Sequence, residues 1–176
     1  MASSLAHVMI VGGTRSEWRR LELDRWRART AEWGTVVADA GGGWLTVRAY
    51  EEGDDESTEP LERWHATVGD GRCAVIVDPV ADGRQRFAEA MSQIPAGRRI
   101  DEKAVAGVLY EPADVEPDLV VVLGPSTRLP ASVMWELAYG ELVFLPVTFG
   151  ELSGAHVAAA IEDFHGRRRR FGGLDS

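Results

Sequence analysis

Short apolar runs alternate with amphipathic stretches along the chain. Five apolar runs have the length of buried strands: His7–Val11, Trp44–Tyr50, Cys73–Val77, Leu119–Leu123 and Leu142–Phe149. Each run is far shorter than the roughly 20 residues that a membrane-spanning helix needs. The most uniformly apolar run, Leu119–Leu123, is typical of a strand that is covered on both faces. The pattern therefore predicts a buried, mostly parallel sheet.

Between these runs, apolar residues recur at helical spacing. The predicted helices are Ser16–Ala40, Asp82–Ile94, Asp101–Leu109, Pro130–Tyr139 and Ser153 to about Arg168. Asp101 and Ser153 are placed to cap the helices that they begin. The acidic segment from Glu51 to about Glu62 contains Gly, Ser and Pro, which predicts an exposed loop or the entry to a helix. Strands that alternate with helices at this spacing predict one α/β domain over residues 1–176, with a mostly parallel central sheet flanked by helices.

Composition and charge exclude several classes of protein. The 176 residues include 19 basic and 28 acidic side chains, for a formal net charge of −9. This charge argues against a general nucleic-acid binder, because phosphate backbones attract basic surfaces. A single cysteine, Cys73, excludes an internal disulfide and a zinc site built from cysteines. The histidines show no ligand spacing, so we expect this chain alone to bind no metal. We find no signal peptide and expect a cytoplasmic protein.

Two segments near the C-terminus have a specific pattern. Residues 118–144 read DLVVVLGPSTRLPASVMWELAYGELVF, and residues 168–173 read RRRFGG. They resemble the cis-prenyltransferase (undecaprenyl diphosphate synthase) family, in which Asp-Leu precedes a glycine, Arg-Leu and then Trp-x-x-Ala-Tyr-x-Glu-Leu-x-Phe, and which closes in Arg-Arg-Phe-Gly-Gly. His7 and Trp18 also keep the spacing of the family's first strand and its following tryptophan. The resemblance implies the family's fold, with the helices of its product tunnel shortened or missing between Tyr50 and Cys73.

The resemblance also identifies replaced functional residues. Gly13 stands where the family has an aspartate that holds magnesium and the allylic diphosphate, and glycine can neither ligate a metal nor exchange a proton. In the family's diphosphate-binding segment, Val122 replaces an arginine and so removes a bidentate phosphate contact. Ser126 and Pro130 replace a glutamate and a serine of the same segment. We therefore expect no catalysis by this chain alone, and Mg²⁺ in a catalytic partner.

Other elements of the family are retained. The family's C-terminal element reaches across the dimer to a substrate diphosphate in the partner's site, and it is matched by Arg170, Phe171, Gly172 and Gly173. The family's dimer surface is matched by Trp135, Tyr139, Glu141 and Phe144. This combination resembles the non-catalytic subunit of heteromeric cis-prenyltransferases, the Nogo-B receptor type. It implies a full-length catalytic cis-prenyltransferase as partner, in a heterodimer or heterotetramer, with isopentenyl diphosphate bound in trans and at most peripheral membrane association.

Several residues fit two roles at this level. Gly124 and Arg128 match positions of a residual phosphate site, but the arginine fits a structural ion pair equally well. The segment Gly12–Arg15, with Arg15 at its end, fits an anion-binding loop or an ordinary turn. Glu141 matches a glutamate that the family uses around its metal. Because no aspartate stands at position 13, we expect Glu141 to serve a hydrogen bond or the interface.

Two other functions are consistent with the sequence. The first is a homodimeric transferase with altered chemistry on a small prenyl diphosphate, in which Glu17, Glu51 or Glu52 replaces the missing carboxylate. The second is a non-enzymatic binding protein that uses the dimer surface for another partner. Composition does not separate these two functions from an accessory subunit.

Overall fold

The computed structural model describes residues 5–53, 59 and 61–171, with the backbone alone over 168–171. Its strands are β1 (His7–Val11), β2 (Trp44–Arg48), β3 (Trp64–Val68), β4 (Cys73–Asp78), β5 (Leu119–Leu123) and β6 (Glu141–Leu145). Its α-helices are α1 (Arg15–Arg19), α2 (Leu23–Asp39), α3 (Gly83–Gln93), α4 (Glu102–Leu109) and α5 (Gly154–Phe171). Two short 3₁₀ turns, Ala131–Val133 and Glu136–Ala138, lie between β5 and β6.

The strands form one sheet in the order β3-β4-β2-β1-β5-β6. Every neighbouring pair is parallel except β3 with β4, which is antiparallel. This architecture confirms the predicted fold class. The carboxyl ends of the five parallel strands meet at one edge of the sheet, which is where open α/β sheets bind their ligands.

Each face of the sheet has its own core. On one face, α2 and α5 cover β-strand side chains and an aromatic cluster that includes Trp18, Trp26, Trp33, Phe149 and Phe164. On the other face, α3 and α4 cover a core built around Met9, Ile76, Val122, Leu109 and Tyr110. The β1 and β5 runs are buried along their whole length, as their uninterrupted apolar sequence predicts.

Several element boundaries differ from the sequence prediction. The predicted helix Ser16–Ala40 is two helices, because the chain turns at residues 20–22 and α2 starts again after Glu22, whose backbone is extended. Strand β6 starts at Glu141 and ends at Leu145, before Pro146, which has no backbone N–H to extend the ladder. The predicted helix Pro130–Tyr139 is instead the two 3₁₀ turns.

Strand β3 was not predicted from the sequence. It is joined to β4 by a tight turn in which Asp70 takes a positive φ of 56°. Among the described residues between Tyr50 and Cys73 there is this strand and no helix. The described chain therefore places a sheet edge where the resemblance puts helices of the product tunnel. None of the helices in the described part is long and apolar enough to span a membrane.

Candidate functional site

A cleft of about 510 Å³ lies at the carboxyl edge of the sheet. It is walled by the loops that follow β1, β2, β5 and β6. Its lining includes Gly13, Thr14, Tyr50, Glu51, Gly124, Pro125, Thr148, Phe149 and Glu151. The topology thus brings the turn after Val11 and the turn after Leu123 together, as the parallel strand order requires.

The turn after β1 is fixed by hydrogen bonds and by close packing. The Trp18 indole N–H donates to the Gly12 carbonyl at 3.0 Å, and the Tyr50 backbone N–H donates to the Gly13 carbonyl at 2.9 Å. Gly13 has a φ of +72°, in the left-handed region that favours glycine. A Cβ atom at this position would lie 2.9 Å from both Phe149 Cγ and Trp18 Nε1. No side chain fits at position 13 without a rearrangement.

The Phe149 ring, which fills the space beside Gly13, is held by several contacts. It stacks on the Trp18 ring, with the two ring centroids 5.8 Å apart. The Arg29 guanidinium lies 4.7 Å from the Trp33 ring centre and 4.6 Å from that of Phe149, and it also donates to the Phe149 carbonyl. Partial burial lowers the pKa of Arg29, although Glu32 opposes the shift. Cation–π contacts of this kind help to hold an aromatic ring in place.

The two arginines predicted near a phosphate site are both paired with carboxylates. Arg15 contacts Glu52 at 2.5 Å between Nη1 and Oε2, and Arg128 contacts Glu51 at 3.1 Å between Nη2 and Oε2. The Arg128 guanidinium also lies 5.9 Å from the Tyr50 ring centre. The structure therefore gives Arg128 the ion pair that was one of its two predicted roles, while phosphate binding by it stays a prediction.

Gly124 occupies the turn after β5, where its φ is +104° and its N–H donates to the Leu145 carbonyl at 2.9 Å. Open space surrounds the position where its Cβ would stand. Gly124, Arg128 and Arg15 are thus brought to the same edge of the sheet. Gly124 lines the cleft. Arg128 follows it in the loop after β5, and Arg15 is the first residue of α1, after β1.

The described carboxylates near Gly13 are held by hydrogen bonds and ion pairs. The Glu17 side chain accepts the Thr14 N–H at 2.8 Å in a capping box, and Glu51 and Glu52 are paired with arginines. Glu151 accepts the N–H and the hydroxyl of Thr148, and these bonds lower the pKa of its carboxyl group. The described residues contain no group of three or more His, Cys, Asp or Glu side chains that could hold a metal ion.

The predicted interface residues lie around β6, at the edge of the sheet. Tyr139 is exposed, whereas Trp135 and Phe144 are half-buried. The Trp135 ring stacks on Phe87 at 5.9 Å, and its indole N–H donates to Glu116 at 3.0 Å. Trp135 therefore has a structural role within this chain, and its role in a dimer stays a prediction.

Glu141 is the first residue of β6, whereas Gly13 follows the last residue of β1. Glu141 therefore lies at the amino ends of the parallel strands, and Gly13 lies at their carboxyl ends. Five-residue strands span about 13 Å between their first and last residues. Glu141 therefore does not reach the cleft of its own chain, and its expected role in a hydrogen bond or at the interface stays a prediction.

The C-terminal element lies at the limit of what the structure describes. Arg170 and Phe171 belong to the end of α5, but their side chains lie outside the described residues, as do Gly172 and Gly173. Just before them, Arg167 donates to the Leu142 carbonyl at 2.9 Å and pairs with Asp163 at 2.6 Å. The first of these contacts joins the end of α5 to β6, beside the predicted interface, and the second lies within α5.

Comparisons with known proteins show which family this chain belongs to. A family model described as "Putative undecaprenyl diphosphate synthase" matches residues 62–172. The chain belongs to the undecaprenyl diphosphate synthase family. The matched region runs from just before β3 to one residue past α5. It contains the motif segment 118–144 and all of the segment 168–173 except Gly173.

The curated relatives of this chain include proteins that are named as prenyltransferases or undecaprenyl diphosphate synthases. "Isoprenyl transferase 2" of Bradyrhizobium diazoefficiens is 34% identical over 61% of this chain and 46% of its own length. A Pyrococcus horikoshii tritrans,polycis-undecaprenyl-diphosphate synthase, named as specific for geranylgeranyl diphosphate, is 27% identical over 89% of this chain and 59% of its own. The chain spans about half the length of the curated relatives that it matches.

Solved structures show the same fold. A probable undecaprenyl diphosphate synthase from Campylobacter jejuni aligns over 97% of this chain and 99% of its own with a TM-score of 0.64 and 16% identity. Lavandulyl diphosphate synthase from Lavandula x intermedia, solved with dimethylallyl diphosphate, aligns over 92% and 95% with a TM-score of 0.62 and 16% identity. At this level of identity, the likeness concerns the fold.

The sequence did not predict a buried charge network beside the sheet. Arg48, the last residue of β2, donates to Glu136 at 2.7 Å and to the Ser132 carbonyl at 2.8 Å. The Tyr110 hydroxyl donates to the same Glu136 oxygen at 2.8 Å, and Arg86 pairs with Asp78 at 3.1 Å. A signal for this network exists in the sequence: an arginine inside the apolar run WLTVRAY requires a buried partner.

The pKa values in this network follow from burial opposed by charge. Burial alone would lower the pKa of Arg48, but Glu136 and Asp78 raise it above its usual value. Burial would likewise raise the pKa values of Asp78 and Glu136, yet Arg86 and Arg48 hold both below the usual range. For Arg86 burial prevails and lowers the pKa to about 10. All four groups are therefore charged at neutral pH.

Proposed function

We propose that this chain is the non-catalytic subunit of a heteromeric cis-prenyltransferase. It pairs with a full-length catalytic homologue, in a heterodimer or heterotetramer, and presents Arg170, Phe171 and Gly172 to the partner's isopentenyl diphosphate site. The partner supplies the catalytic aspartate, Mg²⁺ and the product tunnel. Together the pair condenses isopentenyl diphosphate onto an allylic prenyl diphosphate, in the cytoplasm or peripherally at a membrane.

The observation that carries this proposal is the packing at position 13. The family's magnesium-binding aspartate is replaced there by Gly13, and the space for a side chain is taken by Phe149 and Trp18. Both aromatic side chains are buried. A single reverse substitution therefore does not restore a carboxylate facing the cleft, and the neighbouring arginines are already paired with Glu51 and Glu52.

A second support is an exposed apolar surface beside the predicted interface. Tyr139 is 72% exposed, and three apolar side chains nearby in sequence are close to half exposed: Leu129, Met134 and Leu137. Strand β6 has no strand on its outer side among the residues that the structure describes. Apolar side chains clustered beside an open sheet edge are typical of a surface that a partner covers.

The chemistry of the C-terminal element suits its proposed role. Arginine presents a planar fork of donors that matches phosphate oxygens in pairs. The glycines after Phe171 allow close approach of backbone N–H groups to a ligand. The element begins in the last turn of α5. Arg167 in the same helix donates to the Leu142 carbonyl of β6, so the element begins beside the surface that would meet the partner.

Co-purification with the full-length cis-prenyltransferase of the same organism tests the proposal. Isopentenyl diphosphate incorporation is measured for each protein alone and for the mixture, with excess allylic diphosphate and Mg²⁺. We expect a stable complex that is active only as the pair, or far more active than the partner alone. A matched variant carrying Tyr139→Glu places a charge on the exposed apolar surface and should abolish both complex formation and the gain in activity.

Two results would contradict the proposal. A fully active partner that forms no complex with this chain would remove the accessory role. Turnover of a prenyl diphosphate by the purified chain alone would favour the homodimeric transferase with altered chemistry. In that case Glu17 and Glu51, which line the cleft, would be the first carboxylates to substitute.

A further inference from the structure

A second cavity, separate from the cleft, lies beside α3 and α4. It has a volume of about 630 Å³ and is termed here the side cavity. Its lining comes from the segment 61–65, the end of β4, α3 and the end of α4, and it shares no residue with the cleft. Small-molecule sites in proteins typically have volumes of about 300–1,000 Å³. The side cavity is therefore large enough to hold a small molecule.

The most deeply buried polar groups of the side cavity are already paired with one another. Arg86 Nε lies 3.1 Å from Asp78 Oδ2, and the two side chains are 8% and 3% exposed. Arg86 Nη2 also donates to the Leu109 carbonyl at 2.9 Å. These contacts join α3 to β4 and to the end of α4, so the shape of the cavity is set within this chain. Because the two buried charges neutralise each other, the groups nearer the surface decide which ligand charge is favoured.

The exposed polar groups of the side cavity are divided between a strand wall and a helix wall. Arg63, just before β3, and His65, within β3, form the strand wall. Glu89 and Gln93 lie four residues apart on α3 and therefore share one face of that helix. Glu111, which follows α4, adds a further carboxylate to the helix wall. The strand wall thus carries basic side chains, whereas the helix wall carries carboxylates and an amide.

Hydrogen bonds orient a charged group on each wall. Arg63 Nη2 donates to the Glu111 carbonyl at 2.5 Å, and the Glu89 carboxylate accepts from the Gln85 side-chain amide at 2.8 Å. Because arginine has five N–H donors and a carboxylate has two oxygens, each of these bonds engages only part of the group. The rest of the lining is largely apolar and includes Leu61, Val80, Ala90, Val108 and Pro112.

We propose that the side cavity binds a small zwitterion with an apolar body, of about the size of a dipeptide. The carboxylate of the ligand pairs with Arg63, whose planar fork of donors matches two carboxylate oxygens. Its ammonium group pairs with Glu89 on the helix wall, and its apolar body lies against Val80, Ala90 and Val108. An anion alone would meet the carboxylates of the helix wall, and a cation alone would meet Arg63. This inference concerns the isolated chain and does not rest on the proposed function.

Isothermal titration of the whole chain with the dipeptide leucyl-phenylalanine tests the inference. The same dipeptide with an acetylated amino terminus lacks the positive charge, and the dipeptide with an amidated carboxyl terminus lacks the negative charge. We expect the free dipeptide to bind about tenfold more tightly than either blocked form, because each block removes one charged contact.

Two single variants assign each charge of the ligand to its wall. Arg63→Gln should weaken binding of the free dipeptide and remove its advantage over the amidated form. Glu89→Gln should weaken binding likewise and remove the advantage over the acetylated form. The matched controls Arg84→Gln and Glu162→Gln make the same changes at exposed positions outside the side cavity, and should keep both differences. Thermal unfolding of each variant checks that the fold is retained.

Three results would overturn the inference. The first is no binding of the free dipeptide at millimolar concentration. The second is equal affinity for the free and the blocked forms, which would show binding through the apolar body alone. The third is tighter binding of the amidated form than of the free one, which would show a site for cations. The comparison of the three peptides uses the unsubstituted chain, so it decides the matter even if a variant unfolds. Because no prenyltransferase partner is present, failure here leaves the accessory-subunit proposal standing.

Discussion

The Phe149 ring lies against the position where a side chain on Gly13 would begin, with Cγ only 2.9 Å from the expected Cβ atom. Residue 149 follows β6 and residue 13 follows β1, two strands that are separated in the sheet by β5. Packing therefore fills the space that a side chain at position 13 would need. This relationship makes position 13 a test of both stability and function.

Gly13→Asp should destabilise the chain without creating a magnesium-dependent activity. Crowding against Phe149 and Trp18 is expected to cost about 1–3 kcal/mol, in addition to the strain of a non-glycine residue at positive φ. Gly41→Asp is the matched control, because Gly41 has a φ of +92° with nothing within 4 Å of its Cβ position. Urea unfolding should show a larger loss for Gly13→Asp than for Gly41→Asp. Equal losses would show that packing at position 13 is not limiting.

Arg48→Met should cost about 3–5 kcal/mol of unfolding free energy, because it removes the arginine that bonds the buried Glu136 carboxylate at 2.7 Å and leaves only Arg86, at 3.9 Å, beside it. The side chains of Arg48 and Glu136 are buried, with 0% and 1% exposure. The control is Arg72→Met, which breaks the exposed pair of Arg72 with Asp39 at 2.8 Å and should cost less than about 1 kcal/mol. Chemical denaturation measures both variants, and a similar small loss for the two would contradict the prediction.

Fully buried strands could be predicted from the sequence, whereas the strand at the edge of the sheet could not. Leu119–Leu123 and His7–Val11 were located correctly because a strand buried on both faces produces an unbroken apolar run. Strand β3 was missed because its pattern, WHATV, is short and half-exposed at the sheet edge. Its pairing with β4 depends on a turn rather than on its own periodicity.

Parts of the candidate site could be predicted from the sequence only where the type of a single residue determines which ligand it can bind. Motif positions led to Gly13, which lines the cleft, and to Arg128, whose role in phosphate binding stays a prediction. The contacts of Phe149 with Gly13 and of Glu136 with Arg48 join residues that are 136 and 88 positions apart in the chain. Local patterns carry no information about such pairs, so their discovery required the folded arrangement.

Because the His7 imidazole is buried, we expect the folded chain to lose stability in mild acid. This imidazole is fully buried, with ring nitrogens 2.9 Å from the Thr46 hydroxyl and the Val115 carbonyl oxygen, and burial lowers its pKa from 6.5 to about 4. The unfolded chain therefore binds a proton at higher pH than the folded chain does. The stabilisation is complete above about pH 6.5 and is lost as pH falls towards about 4, by roughly 3 kcal/mol in all.

Urea midpoints for His7→Asn and for the unsubstituted chain, measured between about pH 7 and pH 4, check this prediction. The variant should be less stable at neutral pH but should lose less stability on acidification. His65→Gln, at an exposed position, should keep the full pH dependence. If His7→Asn and the unsubstituted chain showed parallel pH profiles, the buried imidazole would not be responsible.

Tyr139→Ala and Trp135→Ala should separate association from folding. Trp135 is half-buried, stacks on Phe87 and bonds to Glu116, so its truncation should lower stability, by less than the about 3–5 kcal/mol typical of a fully buried aromatic. Tyr139 is 72% exposed, and its truncation should leave the melting temperature nearly unchanged while weakening binding to the catalytic partner. Thermal unfolding and analytical ultracentrifugation measure the two effects. Unchanged association for Tyr139→Ala would exclude this side chain from the interface.

Arg170→Ala should depress the activity of the complex while leaving pairing intact. A charge-assisted hydrogen bond to phosphate contributes about 1.5–3 kcal/mol, so the loss in kcat/KM for isopentenyl diphosphate should be about tenfold to a hundredfold. Arg170→Lys keeps the charge but not the fork of donors, and should recover part of the activity. Arg84→Ala removes an arginine that is 83% exposed on α3, far along the chain from the C-terminal element, and should have no effect. Residue 170 follows Arg167, which holds α5 against β6, so Arg170→Ala leaves that contact in place. A loss of activity with unchanged complex formation would then show that Arg170 acts in the partner's site and not in assembly. Full activity of the Arg170→Ala complex would reject donation in trans.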